Sequence, residues 1–369
     1  MIDLIKRFSV TNFKNFKDKV TLDFSDKREY SFNDNIIRNG LINKAIIFGY
    51  NSSGKSNLGF AIMDITYHLT DNAKQENHYY YPINLESGKN ESTFEYEFLF
   101  NGANVKYEYK KDINRRLISE EVLVEGKSVF YYDYNKNTYK NSLEDIQNIN
   151  LDNRVENISV LKYIRNNILE FDNYNPIKLI VDFANEMLWF RSLRENEFMG
   201  KLPNGDNISD YIVRNNLIPE FQAFLNECDV QETVGSITTP SGIVLAAIKG
   251  KNAVPFFSVC STGTACLALF FYWRWSCFNR IKFLFLDEFD AFYHEKLSAH
   301  LLKYLFRNNE FQCVVTTHNS SLATNELTRP DSVMLIQNNK IKSLANLTNK
   351  VLREGHNLRK LMEAGEFDE

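Results

Sequence analysis

A short apolar run, Lys44-Ala45-Ile46-Ile47-Phe48, leads straight into Gly49-Tyr50-Asn51-Ser52-Ser53-Gly54-Lys55-Ser56, and apolar residues then return at Leu58, Ile62, Ile65 and Leu69. The first run reads as a buried strand and the second set has the spacing of one face of a helix. The octapeptide between them has the form G-x-x-x-x-G-K-S, and strand, glycine loop and helix is the setting in which that form cradles phosphate. Gly49 and Gly54 permit backbone conformations closed to other residues, so successive N–H groups can turn inward beside the positive end of the helix. Lys55 supplies a point charge for the β- and γ-phosphates, and Ser56 a hydroxyl for Mg²⁺. Asn51, Ser52, Ser53 and Asn57 are expected to complete the cradle around the nucleotide. An α/β fold is the architecture that such a loop requires.

Two further strand ends converge on the same chemistry. Ile281-Lys282-Phe283-Leu284-Phe285-Leu286 is an apolar run that stops at Asp287-Glu288. Runs of this kind belong in the middle of a parallel sheet, with their carboxyl ends in the crevice where open α/β sheets bind ligands. Asp287 is expected to hold Mg²⁺ and Glu288 to orient and deprotonate an attacking water. A third strand, Gln312-Cys313-Val314-Val315-Thr316-Thr317, stops at His318, in place to touch a γ-phosphate or that water.

The segment Phe257-Ser258-Val259-Cys260-Ser261-Thr262-Gly263-Thr264 precedes the apolar stretch before Asp287 and looks like a degenerate signature loop of ABC-type ATPases. With loop, signature, acidic strand end and histidine in that order, the chain resembles the SMC-like branch of the ABC ATPases. Within it, the chain is most similar to stand-alone AAA-family ATPases related to the OLD family, of the kind found in bacterial anti-phage systems. The opening Asn12-Phe13-Lys14 turn, the extension Phe289-Asp290-Ala291-Phe292-Tyr293-His294 and the tail from Glu354 to Phe367 are similar to theirs as well.

The resemblance implies an ATPase head of ABC/SMC type, with a mixed central sheet flanked by helices, and ATP and Mg²⁺ as cofactors. It also implies a head-to-head homodimer, possibly enlarged to a higher oligomer, with two identical composite sites. Ser261 and Gly263 would there complete the γ-phosphate shell of the partner copy, and Asp290 would fill a D-loop role at the seam. The Ser261-Thr262-Gly263-Thr264 sequence stands where transporters carry Ser-Gly-Gly-Gln, so those two roles rest on the family alone. Gln75 and Gln147 are Q-loop candidates by position only.

Composition narrows the partners. Net charge is −4 and charged residues make up 24% of the chain, so no global basic field draws it to nucleic acid, although local patches near Arg7, Lys14 and Lys17 stay open. The five cysteines contain no C-x-x-C pair, which fits reduced thiols in a cytoplasm. The uncharged stretch Ala253–Trp273 approaches the length of a membrane span, but it contains Pro255, Gly263 and the signature, and reads as a loop and core helix.

Residues 1–369 read as one ATPase domain. Within it, residues 93–139 alternate aromatic and charged residues and predict an antiparallel β meander, half-solvated and packed on the nucleotide domain. Residues 142–232 show helical spacing and predict a helical insertion, too short for SMC coiled-coil arms. Only about 50 residues follow His318, without the acidic cluster of a TOPRIM nuclease, so a nuclease or toxin effector is expected on a separate polypeptide. The alternative is a DNA-repair or chromosome-associated ATPase that binds DNA directly; a scaffold that uses ATP only as glue is a third reading, against which Glu288 stands.

Overall fold

The computed structural model describes residues 3–73, 81–147, 149–151, 158–168, 175–191, 197–203, 207–240, 242–308 and 310–368. The chain opens with β1 (Leu4–Thr11) and β2 (Val20–Asp23), then runs through β3 (Lys44–Phe48) into α1 (Lys55–Leu69). Five strands follow in succession: β4 (Glu91–Phe100), β5 (Ala103–Asp112), β6 (Leu117–Val124), β7 (Lys127–Asp133) and β8 (Thr138–Asn141). Helices α2 (Val160–Asn167) and α3 (Pro176–Asn185) lead to β9 (Met187–Arg191) and β10 (Phe198–Gly200). Helices Ile208–Arg214 and Ile218–Glu227 precede a small sheet of β11 (Thr233–Thr239), β12 (Gly242–Lys249) and β13 (Asn252–Pro255). The remainder is α4 (Thr262–Ser276), β14 (Phe283–Asp287), α5 (Glu295–Arg307), β15 (Gln312–Thr317), β16 (Val333–Gln337), β17 (Lys340–Ser343) and α6 (Leu358–Glu363).

The unbroken apolar runs form the middle of the molecule. Among the described residues the central sheet has seven strands in the order β10-β9-β14-β15-β3-β16-β17. The five inner strands are parallel, and an antiparallel strand closes each edge. Strands β3, β14 and β15 are buried at every residue, as strands covered on both faces must be. One face carries α4, α5 and the helices that precede β11; the other carries α1, α2 and α3.

A second seven-stranded sheet, wholly antiparallel, lies over that other face in the order β8-β7-β6-β5-β4-β1-β2. Strand β4 alternates buried and half-buried positions, and its inward residues Phe94, Tyr96, Phe98 and Phe100 pack against the α1 layer. Helix α1 is therefore enclosed between two sheets, which explains why it is apolar on nearly every side. The Tyr96 hydroxyl lies 3.1 Å from the carbonyl of Ala61 and 3.0 Å from that of Ile62, tying the second sheet to the helix that begins at the glycine loop.

Two expectations are corrected. The meander pairs through β4 with β1, so it is part of a sheet that includes the N-terminus rather than a subdomain of its own. Residues 142–232 contain the expected helices but also β9, which pairs in parallel with β14 inside the central sheet. Met187-Leu188-Trp189-Phe190 is four buried residues long, and at that length a core strand and a helix segment have the same apolar pattern.

Candidate functional site

Three neighbouring parallel strands, β14, β15 and β3, deliver their carboxyl ends to one crevice. After β3 the loop tightens through the Ser53 N–H, which donates to Tyr50 O at 3.1 Å. Ser52 and Gly54 adopt left-handed φ of 62° and 104°, and a Cβ on Gly54 would lie 2.5 Å from Asn15 Nδ2. A Cβ on Gly49 would come within 2.5 Å of Ser53 Oγ, so both glycines are needed for close approach. Asn51 and Ser52 are exposed, and Asn57 donates from Nδ2 to Asn15 Oδ1 at 2.7 Å.

Helix α1 starts with no side-chain cap, which leaves its first N–H groups facing the loop. The Ser53 hydroxyl is buried with no hydrogen-bond partner among the described residues. Lys55 turns back into the loop, donating to the carbonyls of Gly49 at 2.7 Å and Tyr50 at 3.1 Å. Burial pushes the Lys55 amine below the ordinary lysine range, against the pull of Asp287 and Glu288. The ring of His318 lies close by, with Nδ1 3.4 Å from Lys55 Nζ. Burial and then the Lys55 charge lower the His318 pKa, which favours the neutral imidazole, against Glu288, Asp290 and a hydrogen bond with the Gly49 backbone.

The end of β14 is held by β15. Thr316 Oγ1 donates to Asp287 Oδ1 at 2.7 Å and accepts from the Glu288 N–H at 2.9 Å. Asp287 is fully buried, whereas the Glu288 backbone turns left-handed at φ 48°, a conformation costly for a residue with a side chain and concentrated at functional sites. The next residue of the strand, Thr317, donates to Asp290 Oδ1 at 2.6 Å, which fixes the D-loop candidate within its own chain.

One participant was missed by the sequence reading. Arg191, the last residue of β9, stands in register with Asp287. Its Nη2 lies 3.0 Å from Asp287 Oδ2 and 3.3 Å from Ser56 Oγ, and its Nε lies 3.7 Å from Glu288 Oε2. The signal was present: an apolar run ending in a charge at 187–191 repeats the pattern at 283–287. It went unread because the run was absorbed into the preceding helix. Of the Q-loop candidates, Gln75 lies outside the described residues. Gln147 closes a 3-10 turn, Glu144–Ile146, and among the described residues no hydrogen bond links it to the site.

Ser261 and Gly263 are not brought to the loop. Ser261 caps α4, its Oγ accepting from the Thr264 N–H at 3.1 Å, and no hydrogen bond links either residue to Gly49–Ser56 among the described residues. A Cβ on Gly263 would sit 3.1 Å from Phe292 O, so the signature and the turn after Glu288 form one continuous surface.

The donor set fits Mg²⁺ and a nucleotide triphosphate. Uncapped N–H groups, an inward lysine and an orphaned hydroxyl line the cradle. Ser56 Oγ and Asp287 Oδ2 are hard oxygen donors of the kind Mg²⁺ takes, already bridged by one cationic side chain.

The profile of a family described as "AAA domain, putative AbiEii toxin, Type IV TA system" matches residues 44–324. No curated protein matches the chain. Among solved structures, the SMC head domain from Thermotoga maritima aligns over 93% of this chain and 98% of its own, at 18% identity and a TM-score of 0.44. An SMC head bound to the C-terminal winged-helix domain of ScpA aligns over 93% and 98%, at 14% identity and 0.46. An SMC head with an extended coiled coil, bound to the C-terminal domain of ScpA and derived from Pyrococcus furiosus, aligns over 94% and 98%, at 12% identity and 0.45. Among the described residues no helix is long and apolar enough to cross a membrane.

Proposed function

Because the chain belongs to this family of AAA domains, we propose that it binds ATP with Mg²⁺ and hydrolyses it to ADP and phosphate, two copies closing face to face as ABC-type heads. The observation that carries this reading is the convergence of Lys55, Asp287, Glu288 and His318 at the ends of three adjacent parallel strands. Lys55 exchanges its two carbonyl partners for phosphate oxygens, and the uncapped N–H groups of α1 bind further oxygens. Ser56 and Asp287 would hold Mg²⁺, which would supply neutralisation of the phosphate charge. Thr316 orients Asp287 and fixes the strained turn that aims Glu288, whose carboxylate takes the proton of the attacking water. Neutral His318 hydrogen-bonds at the γ-phosphate side. Ser261 and the backbone at Gly263 approach from the partner copy, and Asp290 lies at the seam.

The same reading gives the output to a separately encoded effector, a nuclease or toxin, in a bacterial anti-phage system in the cytoplasm. Its supports are the motif order and a family description that names a toxin–antitoxin system. Direct DNA binding draws no support from the charges around Arg7. On the outer face of the second sheet Lys106 is paired with Glu95 and Glu108, and Arg7 with Asp23 and Glu97.

Nucleotide titration and phosphate release test the reaction. Lys55→Ala should abolish binding, and Glu288→Gln should bind ATP yet release no phosphate. Hydrolysis at the parental rate by Glu288→Gln would sink the base assignment.

A further inference from the structure

Arg191 occupies the position between the two oxygens assigned to the metal. Its guanidinium donates to Asp287 Oδ2 through Nη2 at 3.0 Å and Nε at 3.3 Å, and to Ser56 Oγ through Nη2 at 3.3 Å. Two further carboxylates border the same group, Glu197 at 3.3 Å from Nη1 and Glu288 at 3.7 Å from Nε. The side chain is mostly buried, 18% exposed, and its guanidinium carbon lies over the Trp189 ring, 5.6 Å from the ring centroid. Register places it there: Arg191 is opposite Asp287 across parallel strands whose carboxyl ends open on the crevice.

A hydroxyl and a buried carboxylate form a site for a small hard cation. A guanidinium already supplies one positive charge to that pair, and at a separation of a few ångströms it would strongly repel a dication placed between the same oxygens. The two cations cannot share the site. We propose that Arg191 is the resident counter-ion of the metal position: it holds Ser56 and Asp287 together in the metal-free head, excludes free Mg²⁺, and yields the place when metal arrives with nucleotide. Glu197 and Glu288 are the groups onto which it moves. The phosphates supply the negative charge that the exchange needs, so metal and nucleotide enter together.

The inference rests on the assignment of Ser56 and Asp287 as metal ligands, and the experiment separates the two. The probe is Mn²⁺, whose free ion is counted by electron paramagnetic resonance during titration of the full chain without nucleotide. The parent protein should take up no Mn²⁺ at this site in the millimolar range. Arg191→Met and Arg191→Gln should each bind Mn²⁺ at least about tenfold more tightly, because the competing charge is gone and the carboxylates are left uncompensated. Arg191→Lys retains a positive charge and should behave like the parent. Adding Asp287→Asn to either neutral variant should abolish the gained binding.

If neither neutral variant gains affinity while Asp287→Asn alone still weakens Mn²⁺ binding in the presence of ATP, the counter-ion role is overturned and the metal assignment stands. If Asp287→Asn leaves Mn²⁺ binding with ATP unchanged, the metal assignment fails and the inference fails with it. A variant that lost its fold would show it by circular dichroism, and the second neutral substitution then carries the comparison.

Discussion

Lys44 begins the strand that carries the phosphate loop, yet its amine is fully buried and no carboxylate pairs with it among the described residues. It donates to Phe311 O at 2.5 Å and lies 4.4 Å from the centre of the Phe311 ring. Burial, the dominant cause, lowers its pKa to about 8. The unfolded chain holds that proton up to about 10.4. Below pH 8 both states are protonated and the folded state bears the cost of a buried cation. As pH rises through about 8 the folded state releases the proton first, so the unfolded state binds more protons and stability climbs. The Cys313 thiol, pushed up to about 12 by burial, has the opposite sign: its unfolded form ionises near 8.5, and stability falls as pH rises beyond that value. The Lys44 contribution therefore changes from about pH 8 to about 10.4, and the window of the test is its lower part, about pH 7.5 to 9, where the thiol contributes least. Lys44→Met should be more stable than the parent at pH 7 by roughly 1–2 kcal/mol, since it loses the buried charge but leaves Phe311 O with one fewer donor. Urea unfolding at several pH values checks this: the gap should narrow by about 1 kcal/mol across the window, and a constant gap would show that Lys44 stays charged.

At the scale of elements, α1 is held from behind by buried polar groups as well as by packing. Asp64 accepts from the Tyr109 hydroxyl at 2.8 Å and pairs with buried Lys111 of β5. One turn further, His68 Nε2 lies 2.8 Å from the Tyr107 hydroxyl, which donates to Glu120 Oε1 at 2.6 Å. Glu120 also receives the Ser159 hydroxyl at 2.7 Å, the Val160 N–H at 3.0 Å and the Tyr134 hydroxyl, so it joins the second sheet to the start of α2. Removing one partner strands the other: Asp64→Asn should cost about 3–5 kcal/mol by leaving the Lys111 charge buried alone. The double replacement Asp64→Leu with Lys111→Met should recover most of that loss. Chemical denaturation of the two variants decides it, and equal losses in the single and the double variant would mean that the pair matters through shape.

This layer also shows why some elements were legible in the sequence and others were not. The loop, the Asp287-Glu288 strand end and the His318 strand end were readable because each joins a period to a fixed chemical group. The meander was readable from its alternation, but its pairing with β1 was not, since Val10 and Phe94 meet across 84 positions of sequence that no local pattern connects. Strand β9 was hidden by its brevity, and Arg191 with it. The capping of α4 by Ser261 has a local signature, whereas what the signature surface meets lies beyond a single chain.

At the scale of the molecule, three of the exposed apolar residues lie on the segments that the proposed face-to-face dimer would bring together. Tyr50 of the phosphate loop is 76% exposed, Val259 before the signature 48%, and Phe292 after Asp290 46%. Scattered apolar residues on a surface require no explanation, but these flank the groups that the proposed function places in a composite site. Phe292 is the most telling, because its carbonyl backs onto Gly263 and the side chain therefore belongs to the same surface as the signature. A two-fold interface meets itself, so one substitution acts twice in each dimer. The Glu288→Gln protein should double in mass by light scattering when ATP and Mg²⁺ are added, because the contacts made by the γ-phosphate are no longer lost to hydrolysis. Adding Phe292→Glu places two like charges at the seam without touching the phosphate loop. It should abolish the doubling while ATP affinity per chain, read by titration, changes less than about threefold. Ser261→Arg should act in the same way from the other side of the composite site. If both substitutions left the ATP-dependent mass unchanged, the surface formed by the signature and the turn after Glu288 would not be where the copies meet, and the composite site would have to be sought elsewhere on the chain.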